Sequence, residues 1–437
     1  MKDRRARVGL TRRGVFFLLA SLTASIGAYA LGLRELLYVA VLLAGLPIGA
    51  LLLVWVARPR LSVARSFSPH ILEAGATANV TMHVKNQAFR RSARSRWRDT
   101  LPWRPGSTPD SELPALQPRG ARFAGRGNSV DLHYELRPPR RGVFSIGPLN
   151  VDVADAFGLA QSSLTAGLPQ PIVVTPEVVM LPATGLTASA GDGEARLVQR
   201  RSSGDEDDSM TREYRAGDAM RRVHWRATAR HGDLMVRQEE QRSLPEARII
   251  IDTRRSGYRD TSEETGEESE SDSFEWAVRM LASVAVHLRR AGFLVQIVET
   301  GPAQLPALGR ERQRAWGEEE FLVGLASFGL VEDPKHADPR TKRGAPTVAI
   351  VGNPDPATLD WLVSQGVGGD VSVAFMVQNV SSVDVINRSF GVDRAPMGVG
   401  ERLANAGWLV VPVRADDDHA AAWEAVVYET GRSRAGA

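Results

Sequence analysis

Two stretches near the amino terminus carry no charged residue: 14–33 (GVFFLLASLTASIGAYALGL) and 36–57 (LLYVAVLLAGLPIGALLLVWVA), parted only by Arg34 and Glu35. Nothing else in the 437 residues constrains the fold as strongly. Each run is close to the ~20 residues that an α-helix needs to cross a bilayer core. A buried helix of that length in a water-soluble domain normally keeps a polar stripe, and neither run has one. Tyr29, Tyr38 and Trp55 lie towards run ends, where amphipathic rings settle among headgroups. The sequence therefore predicts a two-helix transmembrane α-hairpin over 14–57 after a basic tail over 1–13. Lys2, Arg4, Arg5, Arg7, Arg12 and Arg13 precede the hairpin, and Arg58, Arg60 and Arg65 follow it. Both ends, and the domains beyond, are thus expected on the cytoplasmic side of a multi-pass plasma-membrane protein. The competing reading is a signal peptide with the rest of the chain outside. Ala28-Tyr29-Ala30 has the look of a cleavage site, and Thr11-Arg12-Arg13 resembles a twin-arginine start. A first run longer than the ~7–15 residues of a signal core, and a second run at once after it, favour the retained hairpin.

Beyond the hairpin, residues 61–175 change to period-two alternation. Leu61–Arg65, Ala78–Val84 and Val130–Leu136 alternate apolar and polar side chains, and Val143–Ile146, Val151, Val153 and Ile172–Val174 add short strands between Gly and Pro turns. An immunoglobulin-like β-sandwich is expected. Within it, Arg90, Arg91, Arg94, Arg96, Arg98 and Arg104 are interleaved with Trp97 and Trp103. Such a loop can be a solvated surface with Arg stacked on Trp, a contact for anionic lipid headgroups, or a site for single-stranded nucleic acid. A formal net charge of only +3 gives no whole-chain signal for nucleic acid, which is not expected as a partner. With no cysteine in the chain, disulfides, thiolate metal sites and cysteine nucleophiles are excluded.

The densest motif lies within 195–245, at TREYRAGDAMRRVHWRATARHGDLMVRQEE, residues 211–240. Asp218 is placed to cap a helix from Ala219 to His231, with Gly232 past its end. Met220, Val223 and Ala227 would form its apolar face, and Arg222, Arg226 and Arg230 a cationic stripe. Asp218, His224 and His231 are titratable, but the two histidines are two turns apart, whereas a two-histidine metal helix prefers i, i+4. No serine sits in a nucleophile elbow. Capping, packing and ion pairing account for these residues without catalysis, so no catalytic residue is assigned. A further option is that the stripe binds an acidic surface or a phosphate.

Tyr214-Arg215-Ala216-Gly217-Asp218, then Arg221 or Arg222, His224-Trp225 and Ala229-Arg230 resemble the signature of the domain of unknown function 58 family. The hairpin, the segment holding Arg140-Arg141-Gly142 and Asp155-Ala156-Phe157-Gly158-Leu159, and the α/β region after it resemble that family's layout. The resemblance implies a membrane-anchored protein with a von Willebrand factor A-like domain, often encoded beside a MoxR-type AAA+ ATPase and a transglutaminase-like membrane protein. It makes Tyr214, Gly217, Asp218, Arg222, His224, Trp225, Arg226 and Arg230 the candidate partner-binding residues.

Residues 246–431 alternate strand and helix patterns, as in a doubly wound, Rossmann-like sheet. Expected strands are Ala247–Asp252, Phe293–Val298, Thr347–Val351, Val371–Val377 and Trp408–Val413. Expected helices are 274–290, 318–328, 357–364, 383–388 and 419–430. The resemblance implies a metal-ion-dependent adhesion site, Asp-x-Ser-x-Ser, after the first strand, with oxygen ligands for a hard cation such as Mg²⁺. Here the run reads Asp252-Thr253-Arg254-Arg255-Ser256. Asp252 and Ser256 fit, but Arg254 brings a positive charge and no acceptor. It should repel a cation or take its place. The strand ending Val351-Gly352-Asn353 also lacks the expected Asp, although Asp355 lies two residues further. Two acidic tracts, 205–208 and 260–275, read as solvated segments or as docking partners for the arginine stripe. The sequence thus points to a membrane-tethered interaction protein rather than an enzyme, with no cofactor. The alternative is a divalent-metal-dependent ligand-binding or enzymatic domain using the Asp252 loop.

Overall fold

The uncharged runs become two helices in the computed structural model, α1 (Arg12–Leu31) and α2 (Arg34–Val56). The model describes residues 7–56, 58–103, 105–119, 127–183, 211–214, 220, 223, 225–237, 245–258, 260, 271–305, 317–332, 345–366, 372–378 and 398–426. Both helices are long and apolar enough to cross a membrane. Gly14, Ser21 and Ala28 are buried on α1, and Ala40, Pro47, Ala50 and Val54 on α2. Small residues let two helix backbones approach closely: the Ser21 hydroxyl donates to the Ala40 carbonyl oxygen at 2.7 Å, while Gly14, Ala50 and Val54 lie against Leu159. The large side chains, among them Phe16, Leu19, Leu22, Leu42 and Leu53, lie on the exposed side.

The chain divides into two compact units, Met1–Pro176 and Glu177–Ala437. In the first, Arg7–Leu10, within the basic tail read over 1–13, is a strand (β1). Its Val8 and Leu10 are apolar and pack beside Leu159 and Ala160, which draws the chain into the sheet before α1 begins. The strands that follow are β2 (Leu61–Ser68), β3 (Ile71–Glu73), β4 (Ala78–Asn86), β5 (Ser95–Asp99), β6 (Ser111–Leu113), β7 (Ser129–Leu136), β8 (Gly142–Ile146), β9 (Leu149–Ala154), β10 (Ala160–Ala166) and β11 (Gln170–Thr175). They form sheets ordered β1-β10-β9-β5-β6, β2-β4-β7 and β3-β11-β8. Met82 and Val84 of β4 meet Trp97, Val151 and Val153 of the first sheet. Val80 and Ala78 meet Ile146 and Ile172 of the third. The run read as an arginine/tryptophan loop is partly β5. Ser95, Trp97 and Asp99 point inwards while Arg96 and Arg98 face out, and Trp103 packs edge-on against Phe144.

In the second unit, β12 (Thr211–Glu213) and β13 (Met235–Arg237) pair antiparallel, with the short helix α3 (Trp225–His231) between them in sequence. A parallel sheet follows, formed by β14 (Glu246–Ile251), β15 (Leu294–Glu299), β16 (Thr347–Val351), β17 (Ser372–Val377) and β18 (Leu409–Val413). Its order is β15-β14-β16-β17-β18. Strands buried on both faces read as unbroken apolar runs, and every residue of β16 is buried. Described helices are α4 (Asp272–Arg290), α5 (Glu318–Ala326), α6 (Pro356–Gly366) and α7 (Val399–Asn405), with 419–426 also helical. The helix expected over 383–388 lies outside the described residues, and α7 was not expected. The strand order reverses between β14 and β16, which makes their carboxyl ends the natural crevice of a doubly wound sheet.

Candidate functional site

That crevice is where the Asp252 loop sits. Asp252 follows the last residue of β14 and is fully buried, as is Thr253. Arg254, only 1% exposed, turns its side chain back onto Asp252. Its Nε donates to Oδ1 and its Nη2 to Oδ2, both at 2.9 Å. This is the two-pronged geometry in which a guanidinium binds a carboxylate most strongly. The Arg254 Nη1 donates to Oδ2 of Asp355 at 2.9 Å, from across the β14/β16 switch. Asp252 Oδ1 also accepts from the Arg254 backbone N–H at 3.2 Å and the Thr300 hydroxyl at 2.9 Å. Burial opposes the charge on Arg254, but Asp252 and then Asp355 outweigh it, and its pKa is raised.

The surrounding loops are built to close on this group. Asp355 precedes α6, whose first residue is Pro356, and its Oδ1 accepts the Thr358 backbone N–H at 2.7 Å. It is therefore a helix cap as well as a partner of Arg254. Its pKa is lowered first by that Thr358 bond, with Arg254 a smaller contributor. Gly352 lies so close to the Asp252 loop that a Cβ there would sit 2.3 Å from the Gly257 carbonyl oxygen. Tyr258, buried, donates its hydroxyl to the Asp252 carbonyl oxygen at 3.0 Å, and its phenol pKa is raised by burial and then by Asp252. Ser256 lies exposed in the one-turn 3-10 helix Arg255–Gly257.

A hard cation needs several oxygen ligands with free lone pairs. Here Arg254 binds both oxygens of Asp252 and one of Asp355, and a guanidinium stands in the position of the first serine of the adhesion pattern. These residues do not fit a divalent metal. Among the described residues no group of three His, Cys, Asp or Glu side chains could hold one.

The arginine motif is less regular than its spacing predicts. The helix begins at Trp225, not Ala219. Val223 is buried, but through an antiparallel bridge to Val236 rather than on a helical face, and Met220 is exposed. Tyr214 is half-buried, its N–H donating to the Leu234 carbonyl oxygen at 2.7 Å. Trp225 is 66% exposed, and Arg226 and Arg230 lie one turn apart on α3. Gly217, Asp218, Arg222 and His224 lie outside the described residues, as does the acidic run 205–208. Asp260, from the second acidic tract, accepts from the Ser271 hydroxyl at 2.6 Å and the Ser273 N–H at 2.8 Å. With Ser271 it caps α4.

Residues 210–310 match the family model described as Protein of unknown function DUF58. Over that segment the chain carries the DUF58 signature. The match places the Trp225 helix and the Asp252–Arg254 pair inside one DUF58 segment, while Asp355 lies beyond it. No protein of curated function matches this chain. Among solved structures, it is similar to the CARDB domain of a Pyrococcus furiosus protein crystallised with di-metal ions, at 17% identity over 26% of this chain and 88% of that one, TM-score 0.19. A solution structure of the same domain gives 15% identity over 26% and 94%, TM-score 0.19. The sporulation control protein Spo0M of Bacillus subtilis gives 11% over 32% and 56%, TM-score 0.14. Scores of this size assign neither fold nor function.

Sequence reasoning missed Thr300 and the capping role of Asp355. Their signal is positional: each lies just past the carboxyl end of a strand beside β14, where side chains meet over the switch crevice.

Proposed function

We propose that this DUF58 protein is a membrane-tethered, non-enzymatic interaction protein. The α1–α2 hairpin anchors it in the plasma membrane with both ends and both units on the cytoplasmic side. The sheet-rich unit is immunoglobulin-like and acts as a spacer. The α/β unit is von Willebrand factor A-like and presents the docking surface. Its partner is a MoxR-type AAA+ ATPase, working with a transglutaminase-like membrane protein in a cell-envelope or assembly system.

The observation that carries this reading is the Arg254 guanidinium bound to Asp252 and Asp355. The crevice that serves as a ligand site in doubly wound sheets is filled by the chain's own cation. That leaves surface docking, for which exposed Trp225 and the arginines of α3 are suited, since aromatic and Arg side chains dominate protein interfaces. The hairpin's outward large apolar side chains and inward small ones are the arrangement suited to lipid.

The test is copurification. Full-length protein is coexpressed with a MoxR-type ATPase and extracted in mild detergent. The expected result is a complex that weakens when Arg226→Glu and Arg230→Glu are combined. Recovery of no ATPase, or a complex indifferent to deletion of 211–240, overturns the partner assignment. A reporter fused after Ala437 fixes the side: cytosolic fluorescence without periplasmic phosphatase activity is expected. Calorimetric heat from Mg²⁺ or Mn²⁺ that Asp252→Ala abolishes would restore the metal-dependent alternative.

A further inference from the structure

The sheet-rich unit exposes two phenylalanines at one end, and both are held there by hydrogen bonds rather than left on slack loops. Phe157 is 71% exposed. Its loop is closed by Asp155, whose carboxylate accepts from the Phe157 N–H at 2.8 Å and the Ala160 N–H at 2.6 Å. The loop is fastened to the foot of α1. Thr11 donates its hydroxyl to the Gly158 carbonyl oxygen at 2.6 Å and its N–H to the Leu159 carbonyl oxygen at 2.9 Å, and the same hydroxyl caps the Gly14 N–H. The approach is tight enough that a Cβ on Gly14 would lie 2.2 Å from the Leu159 carbonyl oxygen. Phe157 is thus fixed level with the first turn of α1.

Phe89 is 83% exposed and belongs to the foot of the other helix. The Gln87 N–H donates to the Arg60 carbonyl oxygen at 2.7 Å, just where the chain leaves α2 for β2. The loop is pinned by Asn86, fully buried, whose amide donates to the Arg90 and Gln117 carbonyl oxygens at 2.9 and 3.1 Å and accepts the Ala88 N–H at 2.9 Å. A buried amide that spends its hydrogen bonds to hold a phenylalanine in the open marks a built feature. Exposed arginines flank both rings: Arg12 and Arg13 beside the first, Arg90 and Arg91 beside the second.

We infer that this end of the sheet-rich unit is a lipid-contacting face, with Phe89 and Phe157 seated in the interfacial zone of the bilayer that holds the hairpin and the flanking arginines on anionic headgroups. This rests on the reading of α1 and α2 as membrane spans. The occupant is a phospholipid surface because the face is continuous with the apolar hairpin. Ala50 and Val54 of α2 pack on Leu159 and Ala160, at the root of the Phe157 loop. Rings anchored between apolar and wet surroundings, with basic residues around them, are what an interface selects.

The chain has no cysteine, so single cysteines can be spin-labelled cleanly in the full-length protein. Phe89→Cys, Phe157→Cys, Leu22→Cys and Leu168→Cys are each labelled in vesicles of phosphatidylcholine with phosphatidylglycerol. Collision with oxygen and with a nickel chelate is then measured. Leu22 is a mid-span control. Leu168 is as apolar and 73% exposed but sits in the turn after β10, about 20 Å along that strand from Leu159. Labels at 89 and 157 are expected at headgroup depth, with nickel collision several-fold below that at 168, and shallower when phosphatidylglycerol is left out. Labels at 89 and 157 as nickel-accessible as 168, with 22 deep in lipid, overturn the inference and leave the spans standing. A water-exposed label at 22 overturns both.

Discussion

Arg65 in the sheet-rich unit and Arg254 in the α/β unit meet the same chemical problem in different surroundings. Arg65 donates from Nε and Nη2 to the two oxygens of Asp99 at 2.8 and 2.7 Å, and both side chains are fully buried. Its Nη1 reaches the Leu168 carbonyl oxygen at 3.1 Å, and the Tyr134 hydroxyl gives Asp99 a third donor at 2.5 Å. The pair is neutral overall, and burial followed by Asp99 pushes the Tyr134 phenol pKa up. Arg254 makes the same fork on Asp252 but reaches a second carboxylate, Asp355, whose side chain is 42% exposed. One cluster is a sealed lock between strands of the sheet-rich unit. The other carries an excess negative charge and opens on solvent at the one place where a parallel sheet collects ligands. Location in the fold, rather than the pair itself, separates the two clusters.

The largest effect is expected where the lock has no outlet. Asp99→Ala strands a buried guanidinium and phenol, and removing one partner of a buried pair costs about 3–5 kcal/mol. Urea unfolding of the full-length protein in detergent should show the sheet-rich unit losing its transition or shifting it far down. A small shift would mean that water reaches Arg65, and the contrast with Arg254 would fail.

Arg254→Ser should cost somewhat less, about 2–4 kcal/mol, because Asp252 keeps its Thr300 donor and Asp355 keeps water. The variant also rebuilds Asp-x-Ser-x-Ser from residue 252 to 256. Millimolar Mg²⁺ should return part of the lost thermal stability of Arg254→Ser and leave the parent protein unchanged. Equal Mg²⁺ effects on both would show that Arg254 does not fill a cation's place.

What could be read from the sequence follows the same division between pattern and place. The hairpin was legible because twenty uncharged residues leave few options, and the parallel strands because burial on both faces keeps them apolar. Strand β5 was not: Arg96 and Arg98 face out and hide the inward Ser95, Trp97 and Asp99. The spacing of Met220, Val223 and Ala227 suggested one long helix, yet Val223 is buried by a strand partner, which spacing cannot reveal. Arg254 stood out as a departure from a pattern. That Asp355 would meet it depends on the β14/β16 pairing across about a hundred residues. Asn86 gave no signal, since a single asparagine reads as a turn residue until its burial is known.

A smaller effect distinguishes the units by acid. His419 is stacked on Trp276 at 4.6 Å and buried, and His287 stands edge-on to Trp423. Burial lowers the pKa of each below the usual 6.5. The unfolded chain therefore takes up protons first. The stability these groups contribute is present above about pH 6.5 and is lost as pH falls through their folded values, at up to about 1.4 kcal/mol per proton per pH unit. The α/β unit should lose thermal stability between pH 7 and 5, and His419→Gln with His287→Gln should flatten that slope. An unchanged slope would assign the acid response to carboxylates instead.

The smallest effect dissects Asp355, the residue that makes Arg254 unlike Arg65. Asp355 caps α6 through the Thr358 N–H and pairs with Arg254. Asparagine caps about as well as aspartate, while alanine loses roughly 1 kcal/mol. A half-exposed ion pair adds little in water. Asp355→Asn should therefore stay within a few tenths of a kcal/mol of the parent, and Asp355→Ala should fall by about 1 kcal/mol, as read by thermal unfolding. The order matters more than the sizes. If asparagine costs as much as alanine, the charge on Asp355 rather than its cap holds the crevice shut, and Arg254 is then gripped by two carboxylates of comparable weight. If asparagine is tolerated, Asp252 alone retains Arg254, and the second carboxylate is a cap that the guanidinium happens to reach. Only in the first case would a partner that drew Asp355 away loosen the plug.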